Sequence, residues 1–186
     1  MHYVVHCLDH DGAVATRLAN YDAHKAYLAA ATVKTVISGP LLADDAGRVV
    51  PGDILGQITA ASLGADAVVT PVSSNSGVSL SGRFDRVIRT RIGSPFVIAG
   101  MQAGGRVVGY EANGGFLLGF DAQGPAGPLA PLATRDSLLP LVAPLVEAKA
   151  AGSLSARVAQ EPACFTAADR LEHVPSEASA ALIAGF

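Results

Sequence analysis

One short loop combines residue types that could bind a ligand rich in hydroxyl groups. In the stretch VGYEANGGFLLG, Glu111 and Asn113 stand beside Gly114, between two apolar runs. A carboxylate can accept two hydrogen bonds from neighbouring hydroxyls, such as those of a sugar, and an amide both donates and accepts them. Glycine lets a ligand approach the backbone closely. Asn-Gly between apolar strands is equally typical of a type I′ hairpin turn, so the residue types leave both interpretations open.

Arginines close to a glycine–serine turn form a second candidate. Arg86, Arg89 and Arg91 come shortly before Gly93 and Ser94 in RVIRTRIGSP. Guanidinium groups pair with phosphate through parallel hydrogen bonds, so a basic row beside this turn would suit a phosphorylated ligand. The alternative is the solvated face of an edge strand, and the sequence does not decide between the two.

A third candidate is the polar segment TPVSSNS, from Thr70 to Ser76, where a strand is expected to lead into a helix. Free backbone N–H groups and the helix dipole can bind an anion at such a junction. Capping of the helix by Ser73, Ser74 or Asn75 explains the same residues and is the favoured interpretation.

The N-terminal region holds several side chains with possible chemistry. In VVHCLDHDGAV, Asp9 and Asp11 form a DxDG pattern that resembles the start of haloacid-dehalogenase-type phosphatases, with a nucleophile and an acid/base. The histidines and the cysteine of this region are His2, His6, Cys7, His10 and His24. Positions 2, 6 and 10 would share one face of a long strand, but this is not a recognised zinc spacing. An ordinary polar turn and scattered histidines are favoured over both sites.

Composition narrows the class of protein. The 186 residues are 50% hydrophobic and 16% charged, which predicts a substantial core. A net charge of -3 gives no support for nucleic acid or a membrane surface as partner. Cys7 and Cys164 lie far apart without CxxC spacing, which favours a reducing compartment, and the absence of a long apolar run predicts a cytoplasmic protein.

The expected elements alternate between strands and helices, so the predicted class is α/β. A helix is predicted over GDILGQITAASLGA, with Asp53 as its N-cap and Gly64 at its end. DAVVTPV, RVVGYE and FLLGFD read as strands. AQGPAGPLAPLA reads as a loop, and TRDSLLPLVAPLVEAKAAG as an amphipathic helix with internal prolines.

From about residue 41 onwards the chain resembles bacterial phosphomannomutases of the α-D-phosphohexomutase family. The matching words, in the family's order, are LLADDAGRVVPGDILG, GADAVVTPVSSN, LSGRFDRVIRTRIGSPFVIAGM, VVGYEANGGFLLG, PLAPLATRDSLLP and FTAADRL. Those enzymes have four domains, and this segment is similar to the third. The resemblance implies a third-domain-like α/β sandwich over residues 41–166 and an interdomain-linker-like helix over residues 167–186.

The resemblance also implies binding residues. YEANGG matches the family's sugar-binding loop, so Glu111, Asn113 and Gly114 would accept and orient hexose hydroxyls. A second contact of the third domain with the substrate is matched by Arg91, Gly93 and Ser94.

The family's other functional loops have no counterpart in this sequence. The phosphoserine loop of the first domain and the phosphate-binding loop of the fourth are missing, and VKTVISGP stands where a DGDxDR metal loop is expected. The resembled family uses Mg²⁺, but without that loop we expect no cofactor here. We therefore expect no mutase turnover by this chain alone.

Residues 1 to about 50 resemble a different family, the small YCII-related domains, which are ferredoxin-like. The matching words are HYVVHCLD, RLANYDAHKAYL and VISGPLLADDAG. The resemblance implies a partial β-α-β segment over residues 1–40, with Asp9 and His24 as an active pair. GPLLADDAG fits both families, so a chimeric join is expected there. A fusion, a rearranged gene and an assembly error all remain open.

The sequence therefore predicts a phosphohexomutase-like protein of carbohydrate metabolism that binds hexose phosphates, such as mannose or glucose 1- or 6-phosphate. The alternatives are a YCII-like acid/base module and a nonfunctional chimeric product. A homodimer through the N-terminal segment is a further expectation, whereas nucleic acid and membrane are not expected as partners.

Overall fold

The structure, a computed structural model, describes residues 42–124, 127–166 and 175–184. They belong to one compact unit that begins at Ser38. Strands and helices alternate in this part of the chain, which confirms the predicted α/β class. The predicted β-α-β segment over residues 1–40 lies outside the described residues. None of the described helices has the length and apolar character needed to cross a bilayer.

Nine strands and six α-helices lie within the described ranges. The strands are β1 (Leu42–Ala43), β2 (Val49–Val50), β3 (Ala67–Pro71), β4 (Arg86–Thr90), β5 (Val107–Tyr110), β6 (Phe116–Leu118), β7 (Ala122–Gly124), β8 (Gly127–Leu129) and β9 (Leu132–Asp136). The helices are α1 (Gly52–Ser62), α2 (Gly77–Leu80), α3 (Ser94–Gly100), α4 (Leu139–Ala151), α5 (Leu154–Val158) and α6 (Ser176–Ala184). A 3-10 turn at Met101–Ala103 follows α3.

The main sheet is mixed and has five strands in the order β4-β3-β5-β6-β9. β3 pairs in parallel with β4 and β5, whereas β6 pairs in antiparallel fashion with β5 and β9. All five residues of β3 are buried, as expected for a central strand of a sheet with both faces covered. The carboxyl ends of β3, β4 and β5 therefore meet at one edge of the sheet, where polar loops follow them.

Alternation along the strands divides the core between the two faces of the sheet. Val108 and Tyr110 of β5 pack with Phe116 on one face, which α1 covers with Ala60 and with Gly56, the residue that lies against the Tyr110 ring. Val107 belongs to the opposite face, which packs against Val97 of α3. The side of α1 that faces away from the sheet packs against residues of α4 and α5. Helix α1 is therefore buried on both sides, which explains its near-continuous burial.

The predicted first helix is confirmed, but the prediction for its N-cap is wrong. Pro51 occupies the N-cap position, and Asp53 lies inside the first turn, where it is 5% exposed. The Asp53 carboxylate instead accepts a hydrogen bond from the amide of Asn75, 22 residues away. The predicted end of the helix is confirmed, since Gly64 follows it with a φ of 67°.

The predictions after residue 120 need correction. The segment predicted as a Pro/Gly loop contains β7 and β8, which pair with each other, and the start of β9. Residues 134–136 were expected to begin a helix, but they complete β9, and α4 begins only at Leu139. Asp136 accepts hydrogen bonds from the amides of Leu138, the N-cap residue of α4, and Leu139, its first residue, and so holds the end of β9 to the start of the helix. Residues 132–136 form a strand because they pair with β6, which is distant in the sequence.

Candidate functional site

Glu111 directly follows β5 and is the centre of the candidate site. It is only 6% exposed. Its Oε2 accepts a hydrogen bond from Ser94 Oγ at 2.7 Å and another from Arg135 Nη2 at 3.1 Å. Its Oε1 accepts no hydrogen bond from the described residues. This oxygen is not among the fully buried side-chain atoms without a partner, which are Gln57 Oε1 and Ser155 Oγ. Both hydrogen bonds that Glu111 accepts from described side chains therefore hold the same carboxylate oxygen, Oε2.

The hairpin after Glu111 differs from the predicted type I′ turn. The amide of Glu111 donates to Gly115 O at 3.0 Å, and the amide of Gly114 donates to Glu111 O at 2.9 Å. Residues 112–114 therefore form a three-residue loop, with Gly114 in the left-handed region at a φ of 86°. A two-residue Asn-Gly turn would shift the register by one residue. That shift would move one strand's apolar side chains to the wrong face, whereas Tyr110 and Phe116 now pair on the same face.

Asn113 and Gly114 have different roles within this loop. Asn113 is exposed, and its Oδ1 accepts a hydrogen bond from the amide of Gly115 at 3.1 Å. Its side-chain amide nitrogen donates no hydrogen bond to a described residue, so it can still meet a ligand. Gly114 is buried and supplies the left-handed conformation that closes the loop. The hairpin and the ligand-binding interpretations are therefore compatible.

The N-terminus of α1 supports the hairpin from behind. A Cβ atom at Gly52 would lie 2.6 Å from Ala112 O and would collide with the backbone of Gly114. Real Cβ atoms do not approach backbone this closely, so Gly52 is the residue that allows the helix and the loop to touch. The position of the candidate site consequently depends on the position of α1.

The second predicted contact lies close to this loop. Gly93, with a φ of 124°, precedes α3, and Ser94 is the first residue of that helix. Because the Ser94 hydroxyl binds the Glu111 carboxylate, the structure brings together two of the predicted site residues. Arg91 is exposed, with its guanidinium carbon 5.7 Å from the centre of the Phe96 ring. The Arg91 guanidinium makes no hydrogen bond to a described residue and does not contact Glu111.

The predicted basic row is not formed. β4 is indeed an edge strand of the sheet, but residues 86 and 89 differ in parity and so point to opposite faces. Arg86 donates to Gly104 O at 3.2 Å. Arg89 donates to the carbonyl oxygens of Pro71, Ser74 and Asn75, so its guanidinium is used to hold a loop.

The same contacts decide the interpretation of TPVSSNS. Thr70 and Ser74 are hydrogen-bonded to each other at 2.7 Å, and Asn75 Oδ1 accepts the amide of Gly77 at the start of α2. The amide of Asn75 itself donates to Asp53. The predicted N-cap is wrong, because Ser76 occupies that position of α2 and makes no side-chain cap. Asn75, one residue earlier, nevertheless contributes a hydrogen bond to the first turn of the helix.

Arg135 is a site residue that the sequence analysis missed. It was assigned to the beginning of a helix, but it lies near the end of β9. Its side chain is 47% exposed and forms an ion pair with Glu111 at 3.1 Å. The five residues LATRD form this strand, but so short a segment next to a Pro/Gly-rich stretch cannot be distinguished from a loop by its sequence pattern.

The hydroxyl group of Tyr110 is buried behind the hairpin. The residue is 1% exposed and packs against α1 at Gly56. Burial raises the pKa of the Tyr110 hydroxyl well above its usual range, and the negative charge of Asp53 raises it further. Tyr110 is therefore neutral at all physiological pH values and acts as a packing residue behind the hairpin.

The remaining predicted site residues cannot be placed. Asp9, His24 and the other histidines and cysteine of the N-terminal region lie outside the described residues. Among the described residues, no group of three or more His, Cys, Asp or Glu side chains could hold a metal ion.

Comparison with known proteins identifies the described segment. Residues 51–165 match the family described as "Phosphoglucomutase/phosphomannomutase, alpha/beta/alpha domain III". The chain belongs to this family. The predicted third-domain resemblance is confirmed, whereas none of the matches supports the YCII resemblance of the N-terminal residues.

Two curated relatives of this phosphoglucomutase/phosphomannomutase family are similar over most of the chain. A phosphomannomutase of Salmonella muenchen is 43% identical over 148 residues, which cover 77% of this chain and 31% of the relative. A phosphomannomutase of Sinorhizobium fredii (strain NBRC 101917 / NGR234) is 42% identical over 153 residues, which cover 78% of this chain and 32% of the relative. This chain thus spans about a third of the length of these relatives.

A solved structure gives a weaker likeness. A candidate phosphomannomutase from Thermus thermophilus superposes with a TM-score of 0.48 and 18% identity, over 61% of this chain and 25% of that one. These values are too low to support a fold assignment, which depends here on the family match and on the sheet itself.

Proposed function

We propose that the loop of residues 111–115 binds the hexose part of a hexose phosphate, such as mannose or glucose 1- or 6-phosphate. The observation that carries this proposal is the Glu111 carboxylate, which is buried and oriented by Ser94 and Arg135 through one oxygen only. A fixed carboxylate with a free oxygen is suited to accept hydrogen bonds from two neighbouring hydroxyls. Family membership supports a sugar phosphate as the ligand class.

The other site residues have supporting roles in this proposal. Asn113 presents its amide nitrogen at the tip of the loop, and Gly114 gives the loop its shape. Ser94 fixes Glu111 and can share its hydroxyl with the ligand. Gly93 permits the turn into α3, and the exposed Arg91 supplies positive charge for the phosphorylated end of the ligand.

We further propose that residues 41–166 act as a sugar-binding third domain, followed by a linker over residues 167–186. Transfer of a phosphoryl group needs a donor and charge stabilisation beside the reacting phosphate. Neither a phosphoserine loop nor a metal loop of the family's form occurs in this sequence. We therefore expect this 186-residue chain to bind hexose phosphate without mutase turnover of its own.

Isothermal titration of the full chain with glucose 1-phosphate and mannose 1-phosphate tests the proposal, together with a mutase assay. Glu111→Gln keeps the shape of the side chain but removes its charge. Because hydrogen bonds to a charged group contribute about 1.5–3 kcal/mol, we expect affinity to fall about 10- to 150-fold. Glu177→Gln is the matched control, since Glu177 is an exposed residue of α6.

Three results would be decisive. Absence of binding at millimolar ligand concentration would exclude the sugar site, and so would unchanged affinity in Glu111→Gln. Clear mutase turnover by the isolated chain would contradict the expectation that binding occurs without phosphoryl transfer.

A further inference from the structure

Arg135 combines a buried partner with an exposed guanidinium. Its Nη2 lies 3.1 Å from Glu111 Oε2, yet 47% of its side chain is exposed, against 8% for that of Glu111. A guanidinium carries five N–H donors. Glu111 is the one acceptor that Arg135 side-chain donors reach among the described residues. The remaining donors make no hydrogen bond to a described residue, and nearly half of the side chain is exposed beside the hairpin.

The strand that carries Arg135 is irregular at this point. β9 pairs with β6 at two positions, Phe116 with Asp136 and Leu118 with Leu132. Two residue steps on β6 therefore correspond to four on β9, and the extra residues form a bulge that includes Arg135. Bulges of this kind redirect a side chain and are frequent beside functional sites.

Gly115 of the hairpin leaves space for the Arg135 side chain. A Cβ atom at Gly115 would collide with Arg135 Nε and lie 2.8 Å from its Cγ. Gly115 does not need a left-handed backbone, since it is absent from the glycines with positive φ. The lack of a side chain at position 115 is thus what allows Arg135 to cross the loop and reach Glu111.

We propose that Arg135 contacts the ligand directly and forms, with Glu111, a paired acceptor and donor for two oxygens of the same hexose phosphate. Glu111 Oε1 accepts from a ligand hydroxyl, while the free guanidinium N–H groups donate to a second hydroxyl or to the phosphate. This inference rests on the proposed sugar site. It adds a ligand-binding residue from β9, outside the loop and the α3 turn that the family resemblance indicates.

Two variants distinguish a role of the Arg135 guanidinium in ligand binding from a role in stabilising the fold. Arg135→Met removes the charge but keeps an unbranched side chain, and Gly115→Ala keeps the arginine but displaces it from the loop. We expect both to bind glucose 1-phosphate about 10-fold or more weakly. Gly115→Ala should still fold but unfold at a somewhat lower temperature, because the Arg135 side chain must move from its Cγ outwards. Arg48→Met is the matched control, since Arg48 is 70% exposed and pairs with Asp44.

A spectroscopic measurement distinguishes direct contact from an effect through Glu111. The Nε–H resonance of Arg135, assigned by its loss in Arg135→Lys, should shift when glucose 1-phosphate is titrated into the wild-type chain. A larger shift with glucose 1-phosphate than with glucose assigns the phosphate as its partner, and equal shifts assign a hydroxyl. One outcome would overturn the proposal: the wild type binds and Glu111→Gln weakens binding, but the Arg135 resonance does not move. In that case Arg135 makes no contact with the ligand. If the wild type does not bind, the sugar site itself fails.

Discussion

Removal of the Glu161 charge should destabilise the protein more than any other single carboxylate change in the described chain. The Glu161 side chain is 2% exposed. It accepts hydrogen bonds from Gln57 Nε2 at 2.6 Å and Arg157 Nη1 at 2.6 Å, and both terminal nitrogens of Arg83 donate to it. Gln57 belongs to α1, so this network attaches the segment after α5 to the helix that supports the hairpin.

The magnitude follows from what Glu161→Gln leaves behind. Arg157 is 8% exposed and would lose its short ion pair with Glu161. The side-chain NH₂ group of the introduced glutamine would also point at N–H donors of Gln57, Arg83 or Arg157 instead of accepting from them. Removal of one partner of a buried ion pair costs about 3–5 kcal/mol. That is a large part of the roughly 5–15 kcal/mol that stabilises a domain. With a urea dependence of about 2 kcal/mol per molar, the unfolding midpoint should fall by about 2 M.

Urea unfolding followed by far-UV circular dichroism measures this change. Glu147→Gln is the matched control: Glu147 is 41% exposed and lies 3.7 Å from Arg157 Nε, so the change should cost less than about 1 kcal/mol. In an Arg157→Met background, Glu161→Gln should lower the free energy of unfolding clearly less than in the wild type, because no buried Arg157 charge is then left without its partner. A loss below about 1 kcal/mol for Glu161→Gln in the wild-type chain would refute this account of the network.

Two further predictions concern the support of the hairpin. Gly52→Ala places a methyl group against the backbone of residues 112–114, so the free energy of unfolding should fall by about 1–3 kcal/mol and hexose phosphate affinity should fall with it. Gly47→Ala is the control: it strains a backbone with a φ of 74° and should also lower stability, but a methyl group there meets nothing within 4 Å, so affinity should be unchanged. For Tyr110, whose pKa is raised in the folded protein, the unfolded state loses its proton first as pH rises, so stability should fall above about pH 10. Tyr110→Phe should remove that part of the alkaline decline; an identical pH profile would contradict the assignment.

Much of the fold could be predicted because its signals are local. AVVTP is a continuous apolar run, which is typical of a central parallel strand, and Gly64 ends α1 where a left-handed residue is needed. The errors occur where distant pairing overrides local preference. β9 forms because it pairs with β6, and Asp53 leaves the capping role because the amide of Asn75 needs an acceptor.

The candidate site shows the same division. The sequence by itself indicated a hairpin that carries Glu111, though not its three-residue loop, and it determined the family to which these residues belong, because these depend on residue types within a few positions. Only the tertiary structure decided which groups surround that carboxylate. Ser94 is 17 residues away along the chain and Arg135 is 24, and the parallel crossover and the β9 bulge bring both to one oxygen. No local pattern specifies such a meeting, since strand pairing and the glycine slots at positions 52 and 115 fix it in three dimensions.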